Sequence, residues 1–407
     1  MGAIGGIADF KKREIDFAEL NRMRLAMSMR GRKRSSAYIG GTVDMIYNSS
    51  SADAFEEGED KQPAIFERSA STYVVSQDSD LLSSSALFES YRTEGRDFVG
   101  GLRGGFAISL FDAERQMLML ARDRKGKKPL FYKIYNGKIY FASEIKGIFE
   151  AVSKRVPISR EMLSLHITAP MGVYGASNIF LDIFEVLPGE CIIFTALGIS
   201  RLKYRDHSSR EHTAVSRRNE KKDRVFTAYP IDDCLRIEDA LLESLIAFDY
   251  PQFDSNMPAL CKLFESARNH GYEKIFFGDS VRRQSLFYAY EREDRLGSFY
   301  GIRAEGRMLR TEPTNNTEPL RAMHEYLYGR LLSMDEGQIS LLKSILGSHK
   351  LCSLTERLAD VGENEKDTDA RIRILGMLIQ TVMWAESREL LIVSSSDRAR
   401  QSALSIT

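Results

Sequence analysis

One segment, YKIYNGKIYFAS at residues 132–143, constrains the fold more than any other part of the sequence. Apolar and polar side chains alternate on both sides of Asn136-Gly137. Such alternation predicts two strands, and an Asn-Gly pair with positive φ at both residues makes the tight turn that joins antiparallel neighbours. The first half of the chain is therefore predicted to contain an antiparallel sheet.

Other segments of the first half extend this prediction. Strands are expected near residues 71–76, 105–112, 117–122 and 179–204, and helices near residues 16–29 and 82–93. Asp16 followed by Glu19 resembles a capping box at the start of the first helix. Residues 30–68 are polar and lack periodicity, which predicts long surface loops around one or two short strands.

The second half has a different pattern. Residues 206–224 are charged and lack apolar periodicity, so they are predicted to form a linker between domains 1–205 and 225–407. This division agrees with domains of roughly 100 to 200 residues each. Beyond the linker, helices are predicted at 235–248, 258–270, 284–294, 316–333, 338–347 and 368–386, with short strands at 273–277 and 389–393.

Composition excludes several classes of protein. Lys plus Arg and Asp plus Glu both number 57, so no global field draws the chain to nucleic acid or an anionic membrane. The basic runs 30–34 and 217–224 lack interleaved aromatic residues and are expected to be solvated loops. The 4 cysteines and 6 histidines show no spacing typical of a metal site or disulfide framework. No apolar run is long enough to cross a bilayer, so a cytoplasmic location is predicted.

Several motifs resemble one family. LARDRKGKKPLFY at 120–132 and FASEIK at 141–146 are similar to the segment that closes the glutaminase domain of the glutamine-hydrolysing asparagine synthetases. MGAIGGI at the start and VLPGE at 186–190 resemble other turns and strands of that domain. Fainter similarity continues in the second half, in the segments 248–260, 276–283 and 383–390.

The resemblance implies a fold that is α+β in its first part and α/β in its second. Residues 1–205 would form an αββα sandwich of the N-terminal nucleophile hydrolase type, a class II amidotransferase-like domain. Residues 225–407 would form a truncated, mostly helical, nucleotide-binding-like α/β domain.

The residues needed for glutamine hydrolysis are mostly missing. The family attacks the glutamine amide with an N-terminal thiolate, and the corresponding position here is Gly2. Met29-Arg30-Gly31 resembles the family's Arg-Gly-Pro turn, and Ser79-Asp80 resembles its Ser-Asp pair, whose carboxylate takes the glutamine amino group. Arg30 and Asp80 are thus candidates for a residual amino-acid pocket, and the alternative is a solvated Asp80 that caps a helix.

The synthetase half shows a comparable loss. The family grips pyrophosphate with a Ser-Gly-Gly-x-Asp-Ser segment, which occurs nowhere in this chain. Where the family has Ala-Asp-Glu, this chain has Val281-Arg282-Arg283. Guanidinium groups bind no metal but pair well with phosphate or carboxylate. Gly278, Arg282 and Arg283 are therefore a candidate anion site, with an exposed basic helix start as the alternative.

The sequence therefore predicts a catalytically inactive homologue, or pseudoenzyme, retained for binding, assembly or regulation. No catalytic residue, cofactor or metal is expected. The alternative is a working asparagine synthetase or related ATP-dependent amide-forming ligase, which would need ATP and magnesium. A homodimer or a paralogous synthetase is the partner that family analogy suggests.

Overall fold

The computed structural model describes residues 2–11, 15–30, 34–49, 66–69, 72–76, 84–152, 157–168, 179–204, 237–248, 250–253, 257–258, 318–362, 364–388 and 391–394. Two six-stranded sheets dominate its first half. The first sheet contains β1 (Gly2–Ala8), β2 (Arg34–Ile39), β3 (Val43–Ser49), β8 (Phe131–Tyr135), β9 (Lys138–Ala142) and β11 (Phe184–Glu185), in the spatial order β11-β8-β9-β1-β3-β2. The second contains β4 (Phe66–Ser69), β5 (Thr72–Ser76), β6 (Ala107–Asp112), β7 (Met117–Arg122), β12 (Glu190–Thr195) and β13 (Gly198–Lys203), in the order β13-β12-β7-β6-β5-β4.

The helices of the described residues flank these sheets or follow them. They are α1 (Phe17–Ala26), α2 (Ser84–Glu94), α3 (Ile145–Val152), α4 (Arg160–Thr168), α5 (Ile237–Ala247), α6 (Glu318–Leu332), α7 (Glu336–Leu346), α8 (Ser348–Arg357) and α9 (Glu365–Ser387). Short 3-10 segments cover Ser28–Arg30 and Gly95–Gly100. The strands β10 (Pro157–Ser159) and β14 (Leu391–Val393) form a separate parallel pair.

The two sheets form the middle of a four-layer sandwich. Ile4 and Met45 of the first sheet share an apolar cluster with Phe111 and Leu120 of the second, so these faces pack on each other. The outer face of the first sheet packs on α1 and α3, and that of the second packs on α2. An α+β class with antiparallel sheets is confirmed for the first half.

The predicted hairpin is confirmed. β8 and β9 pair antiparallel from Phe131↔Ala142 to Tyr135↔Lys138. Asn136 and Gly137 have φ values of 51° and 74°, as the turn requires. The residues of the turn were therefore sufficient to predict the hairpin.

Residues 30–68 were expected to form surface loops around one or two short strands, and the described part does contain strands. β2 and β3 have six and seven residues, and β3 lies inside the sheet, between β1 and β2, which was not expected. The polar residues of β3 suggested a solvent-exposed segment, but Asp44 and Asn48 are buried and hydrogen-bonded. Asp44 Oδ1 accepts from the backbone nitrogens of Gly40 and Gly41 at 2.9 and 3.1 Å, and Asn48 Nδ2 donates to the Arg24 carbonyl at 2.9 Å.

The predicted capping box at α1 is only half present. Asp16 caps the helix by accepting from Ala18 N at 2.8 Å. The Glu19 carboxylate instead accepts from Lys138 Nζ and Tyr140 Oη, both at 3.2 Å. Glu19 therefore ties α1 to the hairpin rather than closing the helix end.

Several elements agree with the predictions and several were missed. The predicted strands over 71–76, 105–112, 117–122 and 179–204, and the helices near 82–93, 235–248, 316–333, 338–347 and 368–386, are present with shifted ends. α3, α4 and α8 were not predicted. The predicted helices 258–270 and 284–294 and the strand 273–277 lie almost entirely outside the described residues.

One apolar cluster joins the two halves of the chain. It contains Phe149 of α3 and Leu163 of α4 from the first half, with Leu342 of α7 and Trp384 of α9 from the second. β10 also pairs with β14 across the same boundary. The predicted domain limits stay a prediction, since residues 205–236 lie outside the described residues.

A buried histidine at this junction predicts a dependence of stability on pH. The neutral ring of His166 in α4 donates from Nε2 to the Pro251 carbonyl at 2.8 Å. Burial lowers the pKa of His166 from 6.5 to about 4. The folded state therefore binds fewer protons than the unfolded state between these values. The free energy of unfolding is therefore unaffected by His166 above pH 6.5. It falls as the pH is lowered from 6.5 towards 4, by on the order of 3 kcal/mol in total.

The variant His166→Gln isolates this effect. Its urea unfolding free energy should fall less steeply between pH 6.5 and 4 than that of the unmodified protein, because glutamine does not titrate. His349 is exposed on α8, and His349→Gln is the matched control, with an unchanged slope expected. An unchanged slope for His166→Gln as well would contradict the prediction.

Candidate functional site

The start of β1 is the position where the sequence places the missing nucleophile. Gly2 is buried and pairs with Ser49 of β3. A Cβ atom built at Gly2 would lie 2.6 Å from Cε2 and Oη of Tyr47 and from the carbonyl oxygen of Asn48. Real Cβ contacts are not this short, so the surroundings of Gly2 fit glycine only.

The other glycines of β1 are also packing positions. A Cβ at Gly5 would lie 2.7 Å from Met23 Sδ on α1, and one at Gly6 would overlap the Phe141 ring of β9. Close approach of neighbouring elements is a common reason for glycine inside a strand. The segment GAIGGIA thus works here as a scaffold strand, covered on both faces.

The RDRKGKK segment, the strongest motif in the sequence, folds into a loop around Asp123. Asp123 Oδ1 accepts from the backbone nitrogens of Lys125 and Lys127, both at 3.0 Å. Its Oδ2 accepts from Lys128 N at 3.1 Å and Phe106 N at 3.3 Å. With Asp123 almost fully buried, this carboxylate organises the connection between β7 and β8.

Arg122 holds the other side of the same loop. Its guanidinium is fully buried and donates to Glu185 Oε1 at 2.6 Å, to the Val186 carbonyl at 2.7 Å and to the Gly126 carbonyl at 2.9 Å. These contacts connect the loop to β11 and the turn after it. Arg122 and Asp123 are therefore positioned as structural groups of the sandwich.

The FASEIK segment links β1 to the second half of the chain. Ser143 accepts from Ile4 N through Oγ at 2.9 Å, and its own backbone nitrogen donates to the Ile4 carbonyl at 2.8 Å. Lys146 is buried, lies 3.3 Å from Glu144 Oε2, and donates to the Ile246 carbonyl at the end of α5 at 3.3 Å. The segment thus anchors α5 against the first sheet.

The structure tests only part of the predicted pocket and none of the predicted anion site. Arg30 is buried at the end of the 3-10 segment that follows α1, beside β3. Its proposed partner Asp80 lies outside the described residues. Gly278, Arg282 and Arg283 also lie outside them. The pocket of Arg30 and Asp80 and the anion site of Gly278, Arg282 and Arg283 therefore stay predictions.

The described thiols are poor candidates for a nucleophile at this site. Burial raises the pKa of Cys191 to about 12, so its thiol stays protonated at neutral pH. Cys352 is exposed on α8, outside the sandwich. Within the described residues, no group of three or more His, Cys, Asp or Glu side chains is placed to hold a metal ion. None of the helices described is long and apolar enough to span a bilayer.

One family model matches part of the sandwich. Residues 68–205, from β4 to the end of β13, match the family model described as a glutamine amidotransferase domain. This part of the chain is similar to that family. The matched range of the glutamine amidotransferase domain does not include β1.

Relatives of this glutamine amidotransferase domain include asparagine synthetases. Asparagine synthetase [glutamine-hydrolyzing] 3 of Bacillus subtilis is 26% identical over 234 residues, covering 52% of this chain and 38% of its own length. Asparagine synthetase [glutamine-hydrolyzing] 1 of the same organism is 33% identical over 102 residues, covering 25% and 16%. Amidase chyE of Penicillium rubens is 48% identical over 62 residues, covering 15% and 9%. The chain thus spans less than half the length of each of these relatives.

Similarity to solved structures is weaker. Glutamine phosphoribosylpyrophosphate amidotransferase from B. subtilis, in complex with ADP and GMP, aligns with 49% of this chain and 49% of its own. The sequence identity is 13% and the TM-score is 0.31. A TM-score at this level carries no argument about the fold or the site.

Proposed function

We propose that this chain is a catalytically inactive relative of the glutamine-hydrolysing asparagine synthetases, retained for binding, assembly or regulation. The observation that carries the proposal is the start of β1. There the residue is Gly2, which offers no atom that can attack an amide, and its surroundings leave no room for a side chain. Covalent amide hydrolysis needs an activated thiol, hydroxyl or amine at the point of attack.

The sandwich itself supports a scaffold role. The groups of the family's strongest motif, Arg122 and Asp123, make hydrogen bonds that hold the β7–β8 loop. These bonds require no substrate. A chain can therefore keep this motif for folding after its chemistry is lost, as functions reside in sites carried by folds.

The second half supports the same proposal through its sequence. The segment that would cradle pyrophosphate is absent, and Arg282 and Arg283 replace two acidic residues expected beside magnesium. Cations at those positions oppose metal binding. Because Gly278, Arg282 and Arg283 lie outside the described residues, no step is assigned to ATP or magnesium. A homodimer, or a complex with a paralogous synthetase, is the proposed assembly.

The proposal predicts no glutaminase activity. The purified full chain should release no glutamate from glutamine above the rate in buffer, and no pyrophosphate from ATP with aspartate and ammonia. The Gly2→Cys variant should also be inactive, because the added side chain has no space. An active asparagine synthetase measured alongside is the positive control. Glutamate release that rises in proportion to the concentration of the unmodified protein would overturn the proposal.

A further inference from the structure

Tyr47 lies where the two sheets face each other. It belongs to β3, opposite Ile4 in the register with β1, and only 2% of its surface is exposed. Its ring shares the apolar cluster between the sheets with Ile4, Met45 and Phe111. Tyr47 is thus one of the large side chains that fill the space between the sheets next to β1.

The ring reaches along β3 to the start of β1. Two of its atoms, Cε2 and Oη, would each lie 2.6 Å from a Cβ atom at Gly2. A side chain at residue 2 would therefore point directly into the phenol. The carbonyl oxygen of Asn48, also at 2.6 Å, is a second contact that does not depend on the ring, so removing the ring is expected to relieve only part of the crowding.

We propose that Tyr47 is a built-in plug, a buried side chain that occupies the volume which a side chain at residue 2 would need. This inference rests on the proposed function, because it concerns the same site. It goes further, since the site is closed by a specific residue and is not merely missing one. We therefore expect a side chain at residue 2 to be disfavoured as long as Tyr47 keeps its ring.

Closure by Tyr47 predicts that substitutions at Gly2 and Tyr47 have coupled effects on stability. If the ring fills the space beside Gly2, then adding one carbon at residue 2 should cost less once the ring is shortened. Contacting residues give coupled changes in stability, whereas distant residues give additive ones. A double-mutant cycle between Gly2→Ala and Tyr47→Leu measures this coupling in the full chain. Leucine keeps the site apolar, so Tyr47→Leu should lose less stability than Tyr47→Ala.

The expected result is a smaller fall in melting temperature for Gly2→Ala in the Tyr47→Leu background than in the unmodified background. Tyr140→Leu provides the matched control. Tyr140 is also a buried tyrosine of this sheet, but it belongs to the cluster on the opposite face. The Gly2→Ala and Tyr140→Leu changes should therefore add.

A ligand experiment tests the same plug independently. Removing the ring in Tyr47→Ala should leave an apolar cavity, and such cavities bind small aromatic molecules. Phenol should then raise the melting temperature of Tyr47→Ala and leave that of the unmodified protein and of Tyr47→Phe unchanged. If Tyr47→Ala does not fold, the same comparison with Tyr47→Leu replaces it.

The outcomes separate this inference from the proposed function. Additive effects of Gly2→Ala and Tyr47→Leu, or equal shifts with phenol in all variants, would overturn the plug even if the protein releases no glutamate. Glutamate release by the unmodified protein would overturn the proposed function, whatever the cycle shows. Coupling that is specific to Tyr47, together with a phenol shift specific to its truncation, supports the plug.

Discussion

Replacing Asp123 with alanine is expected to destabilise the protein by roughly 3 to 5 kcal/mol. The four backbone N–H groups that its carboxylate accepts from belong to Phe106, Lys125, Lys127 and Lys128. Alanine leaves these donors without their acceptor, and a buried donor that loses its partner costs about 1 to 3 kcal/mol. Lys125 and Lys127 are exposed, so water can replace part of the lost acceptor there. The expected loss of stability is therefore smaller than the sum of four such costs.

Urea unfolding followed by circular dichroism measures this loss. Asp123→Asn should lose less than Asp123→Ala, because the amide oxygen still accepts from part of the loop. Asp97 is exposed in the 3-10 segment Gly95–Gly100, and Asp97→Ala is the control with a change of about 0.5 kcal/mol or less. A loss below about 1 kcal/mol for Asp123→Ala would show that the carboxylate does not organise the loop.

Replacing Trp384 with alanine is expected to cost roughly 3 to 5 kcal/mol and to weaken both halves together. Trp384 is 1% exposed, and its ring meets Phe180 edge-on with centroids 5.9 Å apart. Phe180 in turn meets Phe149 of α3 at 4.8 Å. The cavity left by alanine would therefore lie in the cluster that joins α9 to the sandwich.

The chain contains 1 tryptophan, so its fluorescence reports on this junction alone. In the unmodified protein, tryptophan fluorescence and circular dichroism should give the same urea midpoint, because the halves share one core. Trp384→Phe, which keeps an aromatic ring, should lose less stability than Trp384→Ala. Two separate transitions in the unmodified protein, or a loss under about 1 kcal/mol for Trp384→Ala, would contradict a shared core.

The sequence predicted elements whose causes are local. The turn at Asn136-Gly137 depends on two residues that accept positive φ, and the structure has both. The helix α3 was missed because it has only 8 residues, which is too short for a helical period to stand out in the sequence. The place of β3 inside the sheet was missed because Asp44 and Asn48 are buried with partners that only the folded chain supplies.

That Gly2 takes the place of a nucleophile is a prediction from the sequence and stays one. The lack of space beside Gly2 depends on Tyr47, which is 45 positions away and lies near Gly2 through the pairing of β1 with β3. The pairing of β10 with β14 joins residues that are still further apart in the sequence. Long-range contacts of this kind leave no periodic pattern in the sequence.

The role of the RDRKGKK motif is another feature that the sequence alone does not reveal. The sequence identifies the motif and the family, but not what each side chain does. The structure shows the hydrogen bonds of Arg122 and Asp123 directed to the loop and to neighbouring strands. A motif that marks a family can therefore mark its scaffold.

Covalent labelling by an electrophilic glutamine analogue tests the central claim most directly. A diazoketone analogue alkylates the nucleophile that attacks the glutamine amide, and intact-protein mass spectrometry counts the adducts. The Cys352→Ser variant removes the thiol that is exposed among the described residues and could react without specificity. The account predicts an unchanged mass for this variant, while an active asparagine synthetase gains one adduct. A single adduct on the variant, prevented by excess glutamine, would contradict it.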